Sequence, residues 1–166
     1  MEPSEIKRLL ESAKRALTTS RSEPDAFVLA YIAWEAFQIR VLLVGLAAQG
    51  YSVSDSKKHL KQRQVWQGDN KKAVFEEIFG SKPANTKHVG RYFNKLAKFK
   101  ALRDAYIHGS TRAAPASFES AAREIIEVIE SLDWETGLRR ALSIQGFETK
   151  FTNPLGTVRR SNLVAS

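Results

Sequence analysis

Arg103, Asp104 and His108 fall within six residues of one another, at the end of a segment that reads as a helix and closes at Gly109. An imidazole exchanges protons near neutral pH. A guanidinium presents a planar fork of donors and stays charged, so it can hold an anion and stabilise negative charge that develops in a transition state. Asp104 and His108 stand at i, i+4, close enough on a helix to touch. The carboxylate is therefore free to orient the imidazole or to bond to Arg103, and the spacing does not choose between them.

The helix that carries these residues is expected to start near Thr86. With Arg91 set at zero and about 100° added per residue, Lys87, Arg91, Lys95 and Lys98 fall within roughly 80° of one another as a solvent-facing basic stripe. Tyr92, Phe93, Leu96, Phe99 and Ile107 fall between roughly 80° and 200°, the expected buried face. Arg103 lies near 120°, inside the apolar sector, and a guanidinium there needs a counter-charge. Glu35 is the best candidate, because it is the only acid inside the apolar run of the second helix. Arg103 and His108 are about 140° apart on an ideal helix, so they converge only if the helix loosens or a second subunit contributes.

Further out, the chain reads as helices joined by turns. A first helix is expected from about Ser4 to Thr19, with Ile6, Leu9, Leu10, Ala13 and Leu17 on one face. Ser22 is read as the cap of a second helix, roughly Pro24 to Gln49, which is strongly apolar and ends at Gly50. Ser54 to Gln64 reads as a short helix bearing Lys57, Lys58, Lys61 and Arg63. A turn at 66–70 leads to another short helix, Lys72 to Phe79. After the Arg103 helix, Ser117 is expected to cap a helix to about Leu132, and Trp134 to Gln145 adds a short one. Neither an alternating strand pattern nor an internal repeat is visible. The expected fold is all-α: an up-and-down bundle of about four principal helices plus short accessory ones. One domain spans residues 1–146, and residues 147–166 read as a basic, flexible tail.

Composition narrows the partners. The 166 residues carry a net charge of +8, which favours a polyanion such as RNA. No cysteine is present, so disulfides and thiolate metal sites are excluded and a reducing cytoplasm is allowed. The apolar run from Ala26 to Ala48 is broken by Glu35, Gln38 and Arg40, which argues against a membrane span. Residues 81–100 hold six lysines and arginines and no acid, a candidate RNA track toward Arg103 and His108. Lys57, Lys58 and Lys61, near Trp66, form a second patch. His59 and His88 stand among lysines without ligand spacing, and no glycine-rich phosphate loop or nucleophilic triad occurs, so neither metal nor cofactor is expected.

The segment Arg103, Asp104, a three-residue spacer and His108, placed at a helix end, resembles the HEPN superfamily (higher eukaryotes and prokaryotes nucleotide-binding). Ala30 to Phe37, a small-and-aromatic run interrupted by Glu35, is similar to that family's second helix. The resemblance spans roughly Pro3 to Leu132 as architecture and about a dozen residues as motif. It leaves Tyr51 to Asn85 and the tail unaccounted for. It implies a cytoplasmic, metal-independent endoribonuclease, a homodimer with two motifs facing each other, of the kind found as toxins or antiviral effectors, with an antitoxin or inhibitor as a further partner. His108 then moves protons as a ribose 2′-hydroxyl attacks its phosphate, Arg103 stabilises the phosphate, and Asp104 and Glu35 position them. Competing readings are a non-enzymatic RNA- or nucleotide-binding module of the same type, a helical protein docking an acidic partner, and a purely structural ion-pair network.

Overall fold

The computed structural model describes residues 3–19, 22–67, 70–80, 96–110 and 113–131. Six α-helices and no strand occur among them: α1 Pro3–Leu17, α2 Glu23–Ala48, α3 Val53–Gln62, α4 Asn70–Phe79, α5 Phe99–Ile107 and α6 Pro115–Glu130. A 3₁₀ turn, Leu96–Lys98, leads into α5. The expected all-helical bundle is therefore the fold. The expected helical course of residues 86–95, the Trp134–Gln145 helix and the tail lie outside the described residues.

Helix α2 is apolar on nearly all sides, and such a helix is stable only when surrounded. Its length and composition would suit a membrane span, yet most of it is buried among other helices. The α1 stripe of Ile6, Leu10 and Ala13 packs on it from one side. Phe118, Ala121, Ala122, Ile125 and Ile129 of α6 pack on it from another. Lys14 joins α1 to α6 through Glu130 at 2.6 Å. Trp34 and Phe37 of α2 lie in this core, each 5% exposed.

Two helix starts differ from the sequence reading. Ser22 precedes α2 but makes no side-chain cap. Its hydroxyl donates instead to the carbonyls of Ala16 and Thr19, at 3.0 and 2.8 Å, and so fastens the α1–α2 turn. Ser117 lies inside the first turn of α6, which begins at Pro115 after Ala114. Proline at the first position needs no N–H partner and presets φ, so it nucleates the helix earlier than the serine would.

The ends of α2 and α5 follow the glycine rule. Gly109 and Gly50 have φ of 65° and 96°. After α5, Ser110 N–H reaches Ala105 O at 2.8 Å and Gly109 N–H reaches Tyr106 O at 3.0 Å, the paired bonds of a Schellman ending. Gly45 serves a different purpose. A Cβ there would stand 2.5 Å from Ile78 Cγ2 and 2.8 Å from Phe79 Cζ, so the missing side chain lets α4 lie against α2. Gly45→Ala should therefore lower the urea midpoint at unchanged m-value. Overpacking typically costs about 1–3 kcal/mol, against roughly 1 kcal/mol of helix propensity gained. An unchanged or higher midpoint would show that α4 yields freely.

Aromatic side chains hold α5 in place. The Phe27 ring of α2 lies 6.3 Å from Phe99 and 5.6 Å from Phe118 of α6, and Phe118 lies 5.3 Å from Tyr106. Leu96 is fully buried, as its helical phase predicts. Ile107 is not: it is 60% exposed, because α5 ends there and no described element covers its last turn.

Candidate functional site

Tyr31, Glu35 and Gln38 of α2 stand at i, i+4 and i+7, one stripe of that helix. Arg103 comes to this stripe from α5, with its guanidinium carbon 4.9 Å from the centroid of the Tyr31 ring, a cation–π arrangement. Its Nε lies 2.9 Å from Asp104 Oδ1. The N–H is not aimed at that oxygen, however, so Nε is buried with no hydrogen-bond acceptor among the described residues. The proximity to Asp104 is an ion pair by distance, without a directional bond from Nε.

The counter-charge beside Arg103 is thus Asp104, its neighbour in sequence. No direct hydrogen bond or ion pair joins Arg103 to Glu35 among the described residues. Glu35 is half-buried, and its charge acts on the same two groups as that of Arg103, the Tyr31 hydroxyl and the Lys71 ammonium. The geometry also settles Asp104, which turns to Arg103 rather than to His108.

Lys71, from the first turn of α4, completes the cluster. Its ammonium donates to the Gln38 side-chain oxygen at 2.9 Å. Burial pushes its pKa below the ordinary lysine value; Glu35 opposes that shift, while Arg103 and Lys100 reinforce it. Tyr31 shifts the other way. Burial, with Glu35 adding, raises its hydroxyl to about 12, although Arg103 pulls down through charge and hydrogen bonding. Three cations, Lys71, Lys100 and Arg103, thus share the site with two carboxylates.

The Tyr31 shift has a measurable sign. Its folded pKa lies above the ordinary tyrosine value of 10.0, so between pH 10 and about 12 the folded state binds the extra proton. The stability this group contributes is complete below pH 10 and is lost as pH rises toward 12. Ultraviolet titration should show one tyrosine with a midpoint near 12 that disappears in Tyr31→Phe, and the variant's stability should fall less steeply over that window. A titration unchanged by the substitution would contradict this.

His108 stands apart. It is exposed at the C-cap of α5, and no described side chain bonds to its imidazole. Its backbone N–H donates to Asp104 O at 3.0 Å, the only link of the expected Asp104–His108 pair. Of the expected RNA contacts, Lys87, Arg91 and Lys95 lie outside the described residues. Lys98 is drawn aside, with its ammonium 2.9 Å from Glu124 and 4.8 Å from the Phe99 ring centroid. Lys57, Lys58 and Lys61 are exposed on α3 without an ion pair to any described residue. Arg63, beside them, pairs with Glu77 at 2.8 Å, and His59 Nε2 lies 3.2 Å from the same carboxylate.

Sequence reasoning missed Tyr31 and Lys71. Tyr31 carried a usable signal, four residues before Glu35 on one helix face. Lys71 carried none, since the Gln38 it meets is 33 residues away and only the close α2–α4 approach brings them together. The chain matches no protein-family model, no curated protein and no solved structure.

Proposed function

We propose that the chain is a HEPN-type, metal-independent endoribonuclease that acts as a homodimer in the cytoplasm. The observation that carries this reading is the Arg103 guanidinium. It is braced on the Tyr31 ring with its side chain 25% exposed, and Lys71 and Lys100 share the cluster with it. The exposed part of such a group can donate to a phosphate oxygen, whose negative charge it stabilises as a 2′-hydroxyl attacks. His108 moves the protons: one is taken from the 2′-hydroxyl as its oxygen bonds to phosphorus, and one is given to the 5′-oxygen that leaves as the P–O5′ bond breaks. It stands about 140° round the helix from Arg103, so the proton carrier that meets a given Arg103 comes from a second copy. A role as toxin or antiviral effector, restrained by an antitoxin, follows from the family resemblance alone.

The same separation of His108 from Arg103 favours a second reading, a non-enzymatic module of this type that binds RNA. Both readings place RNA phosphate at the cation cluster. Lys71→Met should therefore weaken RNA affinity and lower the salt slope by about 0.7–1 while the circular dichroism is kept. An unchanged affinity and slope would move the RNA away from this cluster. Incubating the wild-type protein with RNA in EDTA separates the two readings: the enzyme cuts, and the module only binds.

A further inference from the structure

Where α2 turns into α3, the surface opens into a shallow groove of about 530 Å³. None of Tyr31, Glu35, Lys71 or Arg103 lines it. Tyr51 forms one wall, 44% exposed, with its ring 5.9 Å from that of His59 and tilted by 56°. Lys58 and the Gln62 amide lie along the α3 side. With Lys57 set at zero on the α3 wheel, Lys61 falls near 40°, Lys58 near 100° and Gln62 near 140°. Lys58 thus belongs both to the groove wall and to the cation stripe that continues through Lys61 and Lys57.

The neighbouring acids are already engaged. Asp55, at the N-terminal end of the groove, accepts the Ser52 hydroxyl at 2.6 Å, and Glu77 is taken by Arg63 and His59. No described acid lies within ion-pair distance of Lys57, Lys58 or Lys61. An exposed aromatic ring, amides at its side and a free cation stripe running past it are the parts by which proteins hold single-stranded nucleic acid. A paired base has neither face open for a protein ring, so the arrangement suits a strand with unstacked bases.

We propose that this groove seats one base of single-stranded RNA against Tyr51, while Lys57, Lys58 and Lys61 follow the flanking phosphates. The inference rests on the RNA reading above but concerns a separate surface, one that would set which unpaired segment is presented to Arg103. The test uses a single-stranded RNA made uncleavable by 2′-O-methylation and carrying 2-aminopurine, titrated by anisotropy and fluorescence at several salt concentrations. Tyr51→Ala should bind about 5- to 100-fold more weakly with an unchanged salt slope, since a neutral stack is lost, and the 2-aminopurine quenching seen with wild type should vanish. Replacing Lys57, Lys58 and Lys61 together by Gln should instead lower the slope by about 2. Tyr51 is exposed, so the variant should fold, and its circular dichroism should match wild type. Wild-type affinity and quenching in Tyr51→Ala would overturn the groove proposal and leave the Arg103 site standing. Wild-type protein that binds no RNA at all would overturn both.

Discussion

His108→Ala is expected to slow RNA cleavage by about 10²–10⁴-fold, the usual loss when a proton-transfer group is removed. The fold should survive the change. The end of α5 is closed by the backbone N–H groups of Gly109 and Ser110, not by the imidazole, which is exposed. Circular dichroism and thermal unfolding should match wild type, so the lost activity reports chemistry. Arg103→Ala should also lose activity but is harder to read, because it removes the Tyr31 contact and the charge beside Asp104 and Lys71 together. Cleavage by His108→Ala at the wild-type rate would remove His108 from the reaction and leave the binding module as the better account.

The largest expected loss of stability follows from Phe27→Ala. That side chain is fully buried and meets Tyr31, Phe99 and Phe118, so a single ring joins α2, α5 and α6. Truncating a buried phenylalanine costs about 3–5 kcal/mol through lost burial and the cavity left behind. That is a large share of the roughly 5–15 kcal/mol that keeps a domain folded. Denaturant melts should show the loss, with Phe27→Leu far milder. Because the same ring backs Tyr31 and Phe99, a folded fraction of Phe27→Ala should also bind RNA less well at the Arg103 site. A loss below about 1 kcal/mol would mean that α5 is held by other contacts and can collapse onto the gap.

The helices were legible because their signals are local. The apolar stripes of α1 and α6 repeat at helical spacing, and Gly50 and Gly109 sit where the chain must adopt positive φ. The start of α6 was misplaced because proline at the first position outweighed a serine two residues later. The burial of Ile107 was misjudged because a helical wheel gives a direction without saying where the neighbouring helix stops. At the site, sequence singled out Arg103, Asp104 and Glu35, and the direct ion pair of the guanidinium is with Asp104, while Glu35 acts through charge on the same Tyr31 and Lys71. An acid in an apolar run looked like the stronger claim, yet the adjacent Asp104 reaches Arg103 first. Lys71 depends on the glycine-permitted contact of α2 with α4, a tertiary fact that no local pattern carries.

The most direct measurement is cleavage of a defined RNA by the purified wild-type protein in EDTA, with analysis of the product ends. The account predicts that cutting persists in EDTA, that the 5′ fragment ends in a 2′,3′-cyclic phosphate, and that a single 2′-deoxy substitution at the cut site stops the reaction. An absence of cutting across a broad panel of RNAs would contradict the endoribonuclease assignment, as would products lacking the cyclic phosphate or cleavage that ignores the 2′-deoxy substitution.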